Sequence, residues 1–266
     1  MSKLPNSHTP KLPNSHTPKL LIIAVLLASC STHYEVSEMS RTRVLIDQTY
    51  DGLVDAATAS FMQPFKQKVD SEMSPVVGKA ATPLEPYRPE SPLGNLLSDI
   101  LVWAAPQYNE KVDFGLYNNG GMRAALAQGD ITIGDVLDVA PFENYLCFVT
   151  LTGDKVEELL GQVAYRGGEG VSKEVRMVIT TDNKLVAAII DGQPVIPTKK
   201  YRIATLDYVS HGNDRMVAFK SSTDRHDISK DEGGLARDVI MRYIRECTAR
   251  GLPVESKIEG RITIKE

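Results

Sequence analysis

Residues 89–101 read PESPLGNLLSDIL and carry the clearest helix signal of the chain. Ser91 can cap a helix through its hydroxyl, and Pro92 suits the first helical position because that position needs no backbone N–H donor. Apolar side chains recur at helical spacing along one side of this segment, at Leu93, Leu96, Leu97, Ile100 and Leu101. The spacing predicts an amphipathic helix whose apolar face packs on a core.

The segments that follow alternate between strand and helix patterns. Apolar and β-branched runs predict strands at Val112–Tyr117, Tyr145–Leu151, Tyr201–Val209 and Arg261–Lys265. Apolar residues in helical phase predict helices at Asp154–Ala164 and Leu235–Ala249. The runs Val175–Thr180 and Leu185–Ile190 flank Asp182-Asn183, which indicates a hairpin. Because this hairpin interrupts the strand–helix–strand rhythm, we expect an α/β domain with mixed sheets.

Three weaker patterns lie around these elements. Arg43–Thr49 is a short strand candidate, and Ala56–Glu72 predicts a helix with a narrow apolar stripe. Pro64 falls inside that helix and predicts a kink or a break there. Thr132 can cap a short helical turn that ends at Pro141.

The N-terminal segment has the pattern of an export signal. Residues 3–18 repeat KLPNSHTP twice, and residues 20–29 form the apolar run LLIIAVLLAS, which is too short to span a bilayer. The ending Leu27–Cys30 resembles a bacterial lipobox, in which the cysteine is lipidated. We therefore expect residues 1–30 to be a leader and lipoprotein signal peptide, 31–55 a tether and 56–266 the folded domain.

Lipidation of Cys30 would attach an exported protein to the cell envelope. Ser31 after this cysteine favours, by analogy with enteric bacteria, the outer membrane of a Gram-negative bacterium. A plain signal peptide with a coincidental cysteine is the alternative. The other two cysteines, Cys147 in an apolar strand and Cys247 near a helix end, are expected to be buried free thiols, although one bridge between them stays open.

The charge pattern excludes one large class of partner. The net charge of the 266 residues is −4, both signs are interspersed and no basic block is present. Nucleic-acid binding depends on neutralising phosphates with clustered Lys and Arg. We therefore expect no nucleic-acid partner.

Three polar loops beside strands or helical turns are candidates for a ligand site. The first, Tyr117–Arg123, combines asparagine amides, paired glycines that allow close approach, and an arginine fork for an anion, although it also suits a tight turn with a solvated arginine. The second, Ala140–Asn144, holds Phe142, which is either a core plug or a stacking platform for a flat ligand. The third, Asp207–Arg215, adds a tyrosine and acids, and an ordinary solvated turn is its alternative.

Four segments together resemble one known family: PESPLGNLLSDIL, YNNGGMR, GDITIGDVLDVAPFENYL and KKYRIATLDYVSHGNDRM. They look like the C-terminal, substrate-binding domain of 5′-nucleotidases and UDP-sugar hydrolases, from about Phe61 to the terminal EGRITI. The resemblance implies a layered α/β/β/α fold with mixed sheets, and a nucleotide base held between two aromatic rings. It also implies a partner, because the family pairs this domain with a metallophosphatase domain.

The resemblance also implies roles for individual side chains. Phe142 and Tyr208 match the two stacking rings, the second of which is usually phenylalanine. Asp214 matches the ribose-binding aspartate, within Gly212-Asn213-Asp214-Arg215 where the family usually has Gly-Gly-Asp-Gly. The remaining matches are contacts to the base, the ribose or the phosphate: Arg88, Asn118, Arg123, Asn144 and Gly170.

Metal-ligand motifs of the family's phosphatase half are not matched here. That half binds two metals through His, Asp and Asn residues, which flank the phosphate and activate water. His211 and His226 are the histidines of the predicted domain, and neither stands in a Gly-Asn-His-Glu motif. Asp224–Asp227 contains a superficial Asp-x-His that reads as a solvated turn. We expect no catalytic residue, no metal site and no cofactor in this chain, with divalent metals held by a partner.

Three functions follow from these expectations. The chain is the nucleotide-binding half of a split 5′-nucleotidase whose metallophosphatase is separately encoded, or a stand-alone nucleoside- or nucleotide-binding lipoprotein. A relic whose loops no longer bind is the third. The sequence predicts that the chain alone hydrolyses nothing.

Overall fold

A computed structural model describes residues 35–45, 48–50, 52 and 55–265. The predicted leader, the lipidation site Cys30 and part of the tether lie outside the described residues. The chain divides into two units, Met1–Asp55 and Ala56–Glu266. The second unit carries every sheet described below.

The central sheet has five strands in the order β10-β4-β9-β2-β5. These are β2 (Phe114–Tyr117), β4 (Leu146–Thr152), β5 (Gly170–Val171), β9 (Lys200–Leu206) and β10 (Thr223–Asp227). Strands β2 and β9 are parallel, and the other pairs are antiparallel. Successive residues from Leu146 to Leu151 are buried, so both faces of this sheet are covered. The predicted α/β class with mixed sheets is confirmed.

Two smaller sheets complete the strands. One has the order β11-β6-β7-β8, built from β6 (Val175–Thr180), β7 (Leu185–Ile190), β8 (Gln193–Pro194) and β11 (Ile262–Lys265). The predicted hairpin is β6–β7, and Asn183 at its turn has the left-handed φ of 62° that asparagine tolerates. The other sheet pairs β1 (Val76–Ala80) with β3 (Gly129–Thr132).

The longer helices after the first bury an apolar face on these sheets. The helices are α1 (Ala56–Met73), α2 (Pro92–Ala104), α3 (Ile133–Val139), α4 (Gly153–Tyr165), α5 (Asp207–Ser210) and α6 (Ala236–Ala249). The Ser91 hydroxyl accepts a hydrogen bond from the Gly94 N–H at 3.0 Å, as its capping role requires. All the predicted apolar side chains of α2 are buried, and α2 packs on β2, β5 and β9. None of the described helices is long and apolar enough to cross a membrane.

The predicted strand Tyr201–Val209 is too long at its end. The strand stops at Leu206, where its partner β4 begins, and the chain turns into helix α5. The carboxylate of Asp207 accepts a hydrogen bond from the Tyr145 N–H at 2.9 Å, which fixes this transition. Without a strand opposite, residues beyond Leu206 have no ladder to join. The following segment is therefore free to present Tyr208 on a helical turn.

In the N-terminal part, the predicted strand is wrong, and the predicted helix is confirmed without the break that Pro64 could have caused. Among the described residues of the candidate strand Arg43–Thr49, residues 43–45 have no regular structure, and residues 48–50 form a short 3-10 turn. No partner strand among the described residues pairs with them, and an isolated strand is not stable. Helix α1 continues past Pro64 without a break, and all its residues but Met73 are exposed. Water can therefore satisfy the carbonyl that proline leaves without a donor.

The two cysteines of the described domain are free thiols, as predicted. Cys147 is buried in β4, and Cys247 is half-buried near the end of α6. Burial raises the pKa of the Cys147 thiol to about 12, so it stays protonated at neutral pH. Cys147 is therefore a packing group of the core rather than a reactive centre.

Candidate functional site

One cavity of about 180 Å³ collects residues from all three predicted loops. Its lining residues are Asn118, Gly120, Gly121, Phe142, Asn144, Tyr208 and Asp214. Five of the eight predicted binding residues therefore lie at one place, although they come from segments far apart in the sequence. Ligand pockets commonly measure about 300–1,000 Å³. This cavity consequently has room for a base-sized part of a ligand, and the remainder must extend beyond it.

Two aromatic side chains of the cavity are open to solvent. Phe142 is 47% exposed and Tyr208 is 41% exposed. The core-plug interpretation of Phe142 is therefore wrong, because a ring that plugs the core is buried. Helix α3 ends at Val139, and the buried Ala140 is its C-terminal cap, so the chain leaves the core before it reaches Phe142. Exposed rings of this kind can stack on a flat, apolar surface.

A carboxylate and an amide form the polar side of the cavity. The Asn118 side chain is buried, and its Nδ2 donates to Oδ2 of Asp214 at 2.6 Å. Oδ1 of Asn118 has no hydrogen-bond partner among the described residues. A Cβ at Gly120 would lie 3.3 Å from Oδ2 of Asp214, so glycine keeps this side of the acid open. Asn118 thus positions the Asp214 carboxylate, whose oxygens are acceptors of the kind that bind ribose hydroxyls.

The acid sits on a loop with unusual backbone geometry. Gly212, Asp214 and Arg215 have φ values of 84°, 53° and 63°, all in the left-handed region. Glycine adopts this region freely, whereas other L-residues pay roughly 1–2 kcal/mol. Asp214 is 20% exposed and lies 3.6 Å from the Arg166 guanidinium. The loop thus bends sharply enough to place successive side chains on two different surfaces.

A buried glutamate that was not among the predicted site residues organises the residues beside the cavity. The Glu169 side chain is fully buried and accepts hydrogen bonds from Arg88 at 2.7 Å and from Nε of Arg166 at 2.5 Å. Its other oxygen accepts from the backbone N–H of Asn119, in the first loop. One sequence feature could have indicated Glu169: it is an acid that stands between glycines, in Arg166-Gly167-Gly168-Glu169-Gly170. Glycines of this kind allow close backbone packing.

Three predicted binding residues do not line the cavity. Arg88 contributes to a neighbouring polar groove, and Arg123 is exposed with its backbone N–H bonded to Val139. Gly170 is buried in β5, where a Cβ would come within 2.7 Å of the Gly94 carbonyl oxygen. Its structural role is the close approach of α2 to the sheet.

The comparisons with known proteins agree with this geometry. Residues 76–221 match the sequence family described as the 5′-nucleotidase C-terminal domain. The chain belongs to this family. The match begins at β1 and includes all the residues that line the cavity.

Relatives of this 5′-nucleotidase C-terminal domain are longer proteins. Protein UshA of Yersinia enterocolitica is 28% identical over 198 residues, which cover 73% of this chain and 36% of that protein. A cell wall protein of Listeria monocytogenes is 30% identical, over 66% of this chain and 24% of that protein. A crystal structure of a 5′-nucleotidase precursor from Thermus thermophilus superimposes with a TM-score of 0.64 at 25% identity, covering 78% of this chain and 42% of that chain. The chain spans about a third of the length of its curated relatives, or less.

Metal ligands do not cluster in the described part of this 5′-nucleotidase C-terminal domain. No group of three or more His, Cys, Asp or Glu side chains there could hold a metal ion. Asp224–Asp227 is not the solvated turn that we predicted, because it belongs to β10 and pairs with β4. Nδ1 of His226 instead lies 2.8 Å from the Glu110 carboxylate. The described residues do not fit the two-metal chemistry of the family's phosphatase half, so no metal-dependent step is assigned to them.

Proposed function

We propose that this domain binds the nucleoside part of a nucleotide. The base lies against Phe142 and Tyr208, and Asp214 accepts hydrogen bonds from the ribose hydroxyls. The observation that carries the proposal is the pair of half-exposed rings on one small cavity whose polar side is a fixed carboxylate. Base stacking on an aromatic side chain contributes about 1–3 kcal/mol per base. Asn144 supplies an amide group that selects among bases, and Asn118 holds Asp214 in place for the ribose.

Hydrolysis belongs, in this proposal, to another chain. The domain is the nucleotide-binding half of a split 5′-nucleotidase, and a separately encoded metallophosphatase supplies the two metals. Such metals flank the reacting phosphate and activate a water molecule. This chain's own contribution is to hold and orient the nucleoside so that its phosphate reaches the partner's metals.

The proposed location is the cell envelope, with Cys30 as the lipid-bearing residue. The apolar run at residues 20–29 and the lipobox-like Leu27–Cys30 support export and anchoring. The similarity to a Listeria cell wall protein supports an exported location. Anchoring would hold the domain and a membrane-bound partner at the same surface.

The direct test is calorimetry of the purified chain with adenosine, AMP and UDP-glucose. Binding of at least one ligand supports the proposal, and absence of binding even at millimolar concentrations would overturn it in favour of the relic. In the same preparation, we expect no phosphate release from AMP with Mn²⁺ or Zn²⁺. Robust turnover by the isolated chain would contradict the split arrangement. Tight nucleoside binding that no metallophosphatase alters would favour the stand-alone binding lipoprotein.

A further inference from the structure

A second, larger depression adjoins the base cavity. It has a volume of about 460 Å³ and is lined by Arg88, Tyr165, Arg166, Asp182, Asn183 and Arg215. Asp214 lines the cavity, and the next residue, Arg215, lines this groove. The Arg166 guanidinium lies 3.6 Å from the Asp214 carboxylate and so connects the two. A ligand whose ribose contacts Asp214 would therefore project its remaining groups toward the groove.

The groove carries more positive than negative charge. Arg88 and Arg166 share one buried carboxylate, that of Glu169, and Arg166 also lies 3.6 Å from the Asp214 carboxylate. The ammonium group of Lys184 lies 2.7 Å from the Asp182 carboxylate and neutralises its charge. Within the described part of the chain, Arg215 makes no ion pair, and its Nη1 donates only to the Tyr165 hydroxyl at 3.0 Å. A guanidinium has five N–H donors, so several donors of Arg215 remain available to an anion.

Arg215 is held in place at a cost to its backbone. Its φ of 63° lies in the left-handed region, where glycine is the favourable residue. Its guanidinium lies over the Tyr165 ring at 5.5 Å from the centroid, an arrangement that adds cation–π attraction. Tyr165 is itself 60% exposed, so this contact orients the guanidinium without burying it. Backbone strain of this kind is commonly found at functional sites. Because Arg215 faces solvent and adds little to the core, its strained, oriented position indicates a role in binding rather than in folding.

We propose that the groove is an anion subsite continuous with the base cavity, in which Arg166 and Arg215 bind a phosphate carried by the ribose of the ligand. The proposal rests on the proposed function, because the base cavity sets where the ribose lies. Phosphate oxygens accept paired hydrogen bonds from guanidinium groups, which suits two arginines that converge on one groove. Arg215 then determines specificity, by favouring nucleotides over nucleosides.

Calorimetry of the full chain with adenosine, 5′-AMP and 3′-AMP tests the subsite. The variant is Arg215→Ala, and the matched control is Arg250→Ala, which removes an exposed arginine outside the groove. We expect wild type to bind at least one nucleotide about tenfold more tightly than adenosine, as charge-assisted hydrogen bonds predict. Arg215→Ala should abolish that preference and leave adenosine affinity within about twofold. The nucleotide that loses affinity identifies which ribose oxygen carries the bound phosphate.

Salt gives a second measure, because the preference for the nucleotide should shrink as ionic strength rises. Equal affinity of wild type for adenosine and both nucleotides would overturn the subsite while leaving base binding intact. An equal loss for all three ligands in Arg215→Ala would do the same. Nucleotide binding that requires Arg215 but is unchanged in Phe142→Ala would retain the subsite and overturn base stacking. Absence of binding by every ligand would overturn both proposals.

Discussion

At the scale of single residues, the exposure of Phe142 separates its effect on binding from its effect on folding. Because the ring is 47% exposed, Phe142→Ala removes little buried surface. We expect adenosine affinity to fall by about 1–3 kcal/mol, the usual worth of a stacked base. The melting temperature should change by less than about 3 °C. Calorimetry and thermal unfolding of the same preparation measure both, and a large loss of stability with unchanged affinity would restore the core-plug interpretation.

Asp214 allows a similar test of the ribose contact. Asp214→Asn keeps the size of the side chain, and asparagine also tolerates the left-handed φ of 53°. The variant should weaken adenosine binding by about 1.5–3 kcal/mol, the range for hydrogen bonds to a charged group. Binding of 2′,3′-dideoxyadenosine, which lacks both hydroxyls, should not weaken. If Asp214→Asn reduces the affinity for both ligands equally, the carboxylate does not bind the ribose hydroxyls.

The individual site residues differ in how far the sequence could predict them. Phe142, Tyr208 and Asp214 stand in recognisable motifs, and the structure brings these motifs to one cavity. Glu169 could not be found in that way, because its partners Asn119 and Arg88 lie 50 and 81 positions away. The glycines around Glu169 indicate close backbone packing, but its role depends on these distant donors, which only the packing of the whole domain reveals.

At the scale of elements, Arg261 fastens the C-terminal strand β11 to helix α2. The Arg261 side chain is 2% exposed and donates to the Asp99 carboxylate at 2.7 and 2.8 Å. It also donates to Glu259 and to the Val171 carbonyl. Arg261→Ala leaves these acceptors without their donor, so we expect the free energy of unfolding to fall by about 3–5 kcal/mol.

Urea unfolding measures this loss, and Arg250→Ala serves as the surface control, with a change within about 0.5 kcal/mol. Should Arg261→Ala fail to accumulate, Arg261→Lys should fold with a smaller loss, because lysine keeps the charge but not the paired geometry. A loss in Arg261→Ala no larger than that of the control would show that the network contributes nothing to stability.

A second element-scale contact predicts a dependence on pH. Glu110 joins β9 and β10, since it accepts from Arg202 at 2.5 and 2.8 Å and lies 2.8 Å from His226. The hydrogen bond from Arg202 lowers the pKa of the Glu110 carboxyl, burial opposes that shift, and His226 adds to it. A lowered folded-state pKa stabilises the fold above the unfolded-state pKa of about 4.3. That contribution is lost as pH falls through the folded-state value.

Glu110→Gln should therefore lower the free energy of unfolding by about 2 kcal/mol near neutral pH. The difference from wild type should shrink as pH is lowered below about 4, where the wild-type carboxylate is protonated as well. Urea titrations across this range measure the difference, with the exposed Glu157→Gln as the control. A difference that stays constant with pH would mean that Glu110 acts only through its shape.

The elements themselves were predictable where side-chain periodicity determines them. Helix α2 and strand β4 follow from apolar spacing and are confirmed nearly to the residue. The end of β9 could not be predicted in this way, because it depends on where β4 begins rather than on the residues after Leu206. Apolar character continues through Val209, and only the pairing partner decides that a helix replaces the strand there.

At the scale of the whole molecule, hydrophobic patterning predicts the α/β class but not the order of the strands. Alternating strand and helix patterns, together with one hairpin, suffice to infer mixed sheets. The order β10-β4-β9-β2-β5 brings together strands that are far apart in the chain. No local pattern encodes such pairing, since it follows from which apolar faces cover one another. The resemblance to the 5′-nucleotidase family implied the layered fold with mixed sheets, and the strand order comes from the structure alone.

The split-enzyme proposal makes a prediction about two chains rather than one. In the proposed arrangement the metals belong to the partner, so this chain alone should release no phosphate from AMP, with or without added metal. A separately purified metallophosphatase that forms the natural partner should gain AMP turnover when the chain is added, and the gain should saturate with its concentration. Phe142→Ala should raise the KM of the mixture for AMP and leave kcat less affected, since stacking binds ground state and transition state alike. Phosphate release measures each arm, with Arg250→Ala as the variant expected to behave as wild type. A metallophosphatase whose rate and KM for AMP are the same with and without the chain would contradict the proposal. A substrate-binding half must change the affinity or the turnover of its catalytic half for the substrate.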